Sequence, residues 1–173
     1  PDKNVYNHIG FSVGVKEEDY NVVDTLVGAG VKILCIDVAH GDSKLCCDMC
    51  LYISNKYPQI LLIAGNVATG PAAKRLWQVG ADIVKVGVGP GSLCTTRIET
   101  GNGVPQLTAL MDVYAAKIEL EAELYKKANG LDWLVEIPQL MIMADGGIKS
   151  AGDVVKALCF ADLVMIGNMF AGT

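Results

Sequence analysis

Apolar residues along this chain fall into two alternating patterns. Short, nearly continuous runs read as buried strands, and longer runs with three- and four-residue spacing read as helices. "HIGFSVGV" (8–15) is the weakest of the strand-like runs. "EEDYNVVDTLVGAG" (17–30) follows, placing Tyr20, Val23, Leu26 and Val27 on one helical face, with Gly28 or Gly30 near its end. "VKILCIDV" (31–38) is a strand, and a helix is expected over 43–57, stopped by Pro58. "QILLIAGNV" (59–67) is the next strand. Pro71 then opens a short helix, at the position where a missing N–H costs nothing, and Gly80 closes it. "DIVKVGV" (82–88) is again a strand, and 106–128 is mostly helix, with "ELEAELYKK" built from strong helix formers. "LMIMADGG" (140–147), "SAGDVVKAL" (150–158) and "ADLVMIG" (161–167) complete the series as strand, helix and strand. The intervening stretch "VKVGVGPGSLCTTRIETGNGVPQ" (84–106) is so rich in glycine that no helix is expected in it.

A βα unit repeating about every 30 residues calls for parallel strands covered by helices. Polar or glycine-rich residues recur at the C-terminal end of strand after strand: Asp37, Asn66, the loop 87–94, Asp145-Gly146-Gly147 and Gly167-Asn168. A doubly wound sheet gathers ligands mainly at one switch point. Functional-looking residues on successive strands fit a (β/α)8 TIM barrel, whose strand ends share one face. Only about six of the eight units are legible, so about two are expected to be absent. The whole of 1–173 is read as one partial barrel domain, with inserted helix and loop near 117–139 that include Trp133.

Composition narrows the partners. A net charge of −5 argues against nucleic acid or an anionic membrane surface. No apolar run reaches spanning length and no signal peptide is visible, although the first residue is Pro1 rather than Met. Cys35, Cys46, Cys47, Cys50 and Cys159 lie in apolar runs, which suggests reduced thiols in a cytoplasmic protein. "CDMC" (47–50) is a C-x-x-C pair inside a helical pattern; core packing is the plainer reading, and metal or redox use the alternative.

Cys94 differs from these. It sits among glycines and hydroxyl residues, where backbone N–H groups favour a thiolate, and nucleophile and loop residue are both open readings. "ADGGI" and "MIGNM" are consecutive strand ends whose glycines expose N–H groups suited to phosphate, or else only make tight turns. Asp145 is placed to accept hydrogen bonds from ribose hydroxyls, or to cap the following helix. His40 is read as a surface or structural residue.

"GPGSLCTTR" within the 84–106 stretch resembles the cysteine loop of the IMP dehydrogenase / GMP reductase family. "CIDVAHG", "AGNVAT", "MADGGI" and "VMIGNMFAG" match its other strand ends in order. The resemblance covers nearly everything outside 117–139. It leans toward the GMP reductase branch through Pro90, the Thr- and Arg-rich run after Cys94, and the Thr100, Gly101, Gly103, Pro105-Gln106 pattern. It implies NADPH-dependent reduction of GMP to IMP and ammonia, in a cytoplasmic homo-oligomer, a tetramer by family resemblance. Cys94 would attack purine C2 to form a thioimidate, and Thr96 would help activate the leaving group. Ser92, Gly146, Gly147, Gly167 and Asn168 would hold the phosphate end and Asp145 the ribose. Asp37, Asn66 and Lys85 would lie on the cofactor side, with Asp37 also open to a strand-end capping role. The carbonyls of Gly89, Gly91 and Cys94 would hold a monovalent cation, usually K+.

The chain departs from the family pattern in several places. The first two βα units and the flap after the last strand are missing, "ALCFADL" is a short connection, and Asn168 stands where Gly or Ser is commoner. The rival expectations are an IMP dehydrogenase and, in another class, a non-catalytic nucleotide-binding remnant. A flavin-dependent barrel would share the glycine strands but not the cysteine loop.

Overall fold

The computed structural model describes residues 7–128 and 138–171. Its elements run β1 (Gly10–Val13), α1 (Glu17–Gly28), β2 (Ile33–Asp37), α2 (Lys44–Lys56), β3 (Leu61–Val67), α3 (Gly70–Gln78), β4 (Ile83–Val86), α4 (Thr96–Thr100), α5 (Gln106–Ala128), β5 (Met141–Asp145), α6 (Ala151–Leu158) and β6 (Leu163–Met165). The strands form one six-stranded sheet in the order β1-β2-β3-β4-β5-β6, and every neighbouring pair is parallel. Strictly sequential order with no reversal is what a barrel requires and a doubly wound sheet lacks. The fold is part of a (β/α)8 barrel.

Two apolar layers follow from the period of two along each strand. The larger packs Leu34, Ile36, Leu62, Ala64, Val84, Val86, Ile142 and Ala144 against the helices. The smaller joins Cys35, Ile63 and Ile83 on the opposite, inner face, with Ile33, Leu61, Met141 and Met143 around them. All four residues of β4, in the middle of the sheet, are buried, whereas β6 at its edge is exposed or half-buried throughout. A strand paired on one side only cannot be covered like its interior neighbours, and β1 at the other edge is likewise only buried at Val13.

The sequence repeats "GAD" and "FAD" before β4 and β6 have a structural purpose. Asp82 accepts the Leu62 N–H at 2.7 Å and Asp162 accepts the Ile142 N–H at 2.8 Å, so each closes the start of the preceding strand. Helix α3 lies tightly on α5 because Gly70 has no side chain. A Cβ there would come within 2.9 Å of the Ala116 Cβ, and the Gly70 N–H donates to Asp112 at 2.6 Å.

The expected elements are present, with one correction. Residues 96–100 do form a short helix inside the stretch read as non-helical. The Thr100 hydroxyl returns to the Thr96 carbonyl at 2.7 Å, and Gly101 ends the turn with φ of 67°. Cys159, although it lies in an apolar run of the sequence, is a free and exposed thiol at the C-terminal end of α6. The insertion continues α5 to Ala128; its remainder, including Trp133, lies outside the described residues. Among the described residues no helix is long and apolar enough to cross a membrane.

Candidate active site

The strand ends converge through Gly65. Asp37, Gly65 and Lys85 pair across β2, β3 and β4 on one rung. A Cβ on Gly65 would lie 2.5 Å from the Lys85 carbonyl oxygen and 2.7 Å from its Cβ. With that side chain absent, Lys85 spans the sheet's inner face. Its Nζ donates to Asp37 Oδ1 at 2.8 Å and to Asp145 Oδ2 at 2.6 Å. Lys85 is the only charged or polar residue classed as buried among the described residues, at 2% exposure. Burial lowers the affinity of its ammonium for a proton, but the hydrogen bonds to Asp145 and Asp37 outweigh this and hold it above its ordinary value. Asn66 Nδ2 also donates to Asp145 Oδ2 at 2.8 Å and to the Gly87 carbonyl at 2.8 Å.

The cysteine loop is tied down at both ends. Gly87, with φ of 143°, leaves no room for a Cβ against the Asp145 carbonyl. Gln106 Nε2 donates to the Val86 carbonyl at 2.8 Å, and the Arg97 guanidinium donates to the carbonyls of Val88 at 3.0 Å and Val104 at 2.5 Å. Gly89 and Gly103 flank the Arg97 side chain so closely that a Cβ on either would strike it. Pro90 and Gly91 rest on Gly146, whose φ of 88° suits glycine. This contact joins the loop to the end of β5.

An open cleft of about 950 Å³ results, lined by Ser92 and Cys94 from the loop, Asp145, Gly146 and Gly147 from β5, and Gly167 and Asn168 from β6. Cys94 is exposed, and its Sγ lies 3.1 Å from Thr96 Oγ1. The Thr96 hydroxyl, then its backbone, hold the Cys94 thiol below its ordinary value. Cys35 and Cys50 contrast with it. Burial pushes Cys35 up to about 11, and Cys50 is pushed up by its hydrogen bond with Cys46 and by burial.

The family model for the IMP dehydrogenase / GMP reductase domain matches residues 1–173. The chain belongs to this family. Among curated relatives, the inosine-5'-monophosphate dehydrogenase of Chlorobaculum tepidum is 48% identical over 95% of the chain and 30% of its own length. That of Borreliella burgdorferi is 47% identical over 99% of the chain and 38% of its own length. Among solved structures, a GMP reductase from Trypanosoma brucei in complex with guanosine 5'-monophosphate has a TM-score of 0.80 at 38% identity, covering 94% of this chain and 31% of that one. The chain therefore spans about a third of the length of these relatives. What the match establishes is the family domain, of which the relatives named above are dehydrogenases of inosine-5'-monophosphate and a GMP reductase.

The residues expected from the family pattern separate into two groups. Ser92, Cys94, Asp145, Gly146, Gly147, Gly167 and Asn168 share the cleft, and Thr96 adjoins its sulfur. Asp37, Asn66 and Lys85 lie beside and beneath Asp145. A nicotinamide cofactor fits the second group through Asp37, whose side chain is 50% exposed and whose Oδ2 has no partner among the described residues. Lys85 lies too deep to meet a ligand at the surface. A monovalent cation fits the loop in kind, since Gly89, Gly91 and Cys94 offer neutral carbonyl oxygens. The Gly91 carbonyl accepts the Cys94 N–H at 3.1 Å and keeps a second lone pair. Sequence reading missed Gly65, Arg97 and Gln106. Gly65 carried a signal, being a glycine inside an apolar strand, where close backbone approach is the usual cause.

Proposed function

We propose that this domain carries out nicotinamide-linked redox chemistry at C2 of a purine mononucleotide, with Cys94 as the nucleophile. One observation carries the reading: the exposed Cys94 thiol, lowered by Thr96, opens into the same cleft as Asp145 and the glycines of two adjacent strand ends. The nucleotide phosphate sits against Ser92, Gly146, Gly147, Gly167 and Asn168, and the ribose hydroxyls donate to Asp145. This places the base beside Cys94. A nicotinamide, when bound, would supply or accept the hydride at C2; Asp37 would hold it, with Asn66 and Lys85 in support. K+ on the carbonyls of Gly89, Gly91 and Cys94 would steady the loop.

The chemistry of the chain's own residues is common to both directions. In GMP reduction, the Cys94 thiolate forms a C–S bond at C2 and the C2 amino group leaves as ammonia, with Thr96 assisting its protonation. Hydride from NADPH then replaces sulfur, and IMP and the thiolate are released. In IMP oxidation, the thiolate adds at C2, hydride leaves to NAD+, and water cleaves the C–S bond to give XMP. The loop's features support the reductase direction, whereas the 45–48% identity to curated dehydrogenases supports the oxidative one.

The test uses the full chain as its gene encodes it. NADPH absorbance falling only with GMP supports reduction, and NADH absorbance rising only with IMP supports oxidation. In either case Cys94→Ala is expected to abolish turnover while nucleotide affinity stays within about tenfold, because phosphate and ribose contacts remain. Turnover retained at more than a few per cent would remove Cys94 from the mechanism.

A further inference from the structure

Lys85 is a buried ammonium shared by two carboxylates, and the way it shares them is specific. On Asp145 it takes Oδ2, the same oxygen that Asn66 Nδ2 occupies, at 2.6 and 2.8 Å. No partner for Asp145 Oδ1 is present among the described residues, and Asp145 lines the cleft. On Asp37 it takes Oδ1 alone, at 2.8 Å. Two donors thus meet one oxygen of Asp145 and one donor meets one oxygen of Asp37, and among the described residues the second oxygen of each is left as an acceptor. The cluster holds two carboxylates against one ammonium, so it keeps one negative charge and favours neutral donors such as hydroxyls over phosphate.

We propose that Lys85 is a positioning residue that fixes the Asp145 carboxylate so that its unengaged oxygen receives the sugar hydroxyls of the bound nucleotide. The inference rests on the purine-nucleotide reading above and assigns Lys85 a part in recognising the ribose, acting through Asp145 and not by contact with the ligand. A carboxylate held by two donors on one oxygen cannot rotate to exchange its oxygens. Without Lys85, Asn66 alone holds Oδ2, and the neighbouring Asp37 carboxylate repels Asp145. The sugar hydroxyls then lose a fixed acceptor while the phosphate site at Gly147 and Gly167 is untouched.

The experiment measures, by calorimetry on the full-length protein, the affinities for GMP and for its 2′,3′-dideoxy analogue. The wild type is expected to favour GMP by at least about tenfold, the effect of hydrogen bonds to a charged acceptor. In Lys85→Met the preference is expected to fall to within about threefold, through loss of GMP affinity, while affinity for the dideoxy analogue is kept. If removing the lysine alone prevents folding, Lys85→Met combined with Asp37→Asn is read instead, since it leaves the charge of the cluster unchanged. An unchanged preference in whichever variant folds overturns the inference while leaving the nucleotide reading intact. A wild type that binds neither of these compounds nor IMP overturns the nucleotide reading itself. A merely structural role for Lys85 would weaken both ligands alike and keep their ratio, and that result also counts against the proposal.

Discussion

Asp24, on the outer surface where α1 meets α2, and Asp145, at the end of β5, are both hubs of lysine-bearing clusters, and they are completed differently. Asp24 Oδ1 accepts from the hydroxyls of Tyr52 at 2.6 Å and Tyr57 at 2.8 Å, and its Oδ2 accepts from Lys56 at 2.8 Å. Lys56 also lies 4.9 Å and 5.3 Å from the two tyrosine ring centres. Both oxygens of Asp24 are engaged and the lysine, still partly exposed, lies over two aromatic faces, so the cluster is finished by the protein. Asp145, in the lining of a cleft, has one oxygen engaged twice and the other without a partner among the described residues. Its lysine is buried, where an ammonium is stable only with its partners in place. A carboxylate cluster that closes on itself stabilises helix packing, and one that stops an oxygen short is prepared for a ligand.

Exchanging the two hubs for neutral isosteres gives the largest contrast. Asp145→Asn should weaken GMP or IMP binding by about tenfold or more, as expected for loss of a charged acceptor. Asp24→Asn should leave nucleotide affinity unchanged and lower the melting temperature. Calorimetry and thermal unfolding of the same two variants read both effects, and equal effects on affinity would erase the distinction.

Gly65→Ala tests whether the open cluster depends on close packing of β3 on β4. The added methyl meets the backbone oxygen of Lys85 at 2.5 Å, and a strand backbone has little room to move aside. Destabilisation of about 1–3 kcal/mol is expected in denaturant titrations, the usual range for overpacking. Affinity for nucleotide should fall with it because Lys85 is displaced. A variant with unchanged stability and affinity would show that the rung Asp37–Gly65–Lys85 tolerates a wider spacing.

These clusters also mark how far the sequence could be read. The alternation of strand and helix, the polar strand ends and the candidacy of Cys94, Asp145 and the strand-end glycines, which the fold brings to one cleft, were legible because each is local: a period, a turn residue, or a motif of adjacent residues. Lys85 was legible as a candidate but not as a buried bridge, since its partners lie 48 and 60 positions away in the chain. The grip of Arg97 on Val88 and Val104 was hidden for a related reason: an arginine in a loop has no periodicity to reveal its target. The short helix α4 was missed because propensity summed over a glycine-rich window misjudges a single turn closed by Thr100 and Gly101. The sequence carries no local signal for the contacts of Tyr52 and Tyr57, because the packing of α1 on α2 is what brings their hydroxyls to Asp24.

The closed cluster carries a pH signature that follows from its hydrogen bonds. Lys56, then Tyr52 and Tyr57, hold Asp24 down from 3.8 to about 2 in the folded protein. Its folded value is below its unfolded one, so its contribution is fully present above about pH 4 and disappears as pH falls through about 2. The melting temperatures of wild type and Asp24→Asn should therefore differ most near neutral pH and converge below pH 3. A difference that persists undiminished to about pH 2 would mean that the carboxylate's charge is not what the tyrosines and Lys56 stabilise.

The same contrast between closed and open groups exists among the thiols, with the smallest expected effect. Cys46 and Cys50 are free thiols fully buried on α2 and hydrogen-bonded to each other, so they should resist alkylation in the folded protein. Cys94 and Cys159 are exposed, and both should react. Only Cys94 has a hydroxyl at 3.1 Å from its sulfur, and that hydroxyl favours the thiolate. The thiolate is the reacting form, so the Cys94 alkylation rate should reach half its plateau at a pH below the ordinary thiol value of 9.0. Thr96→Val keeps the shape of the side chain and removes the oxygen. It should move the Cys94 profile to higher pH and leave Cys159, the internal reference, where it was. Peptide-resolved alkylation measured across pH reads both sites in one sample. A Cys94 profile that does not move in Thr96→Val would mean that the loop backbone, not the threonine, prepares this sulfur.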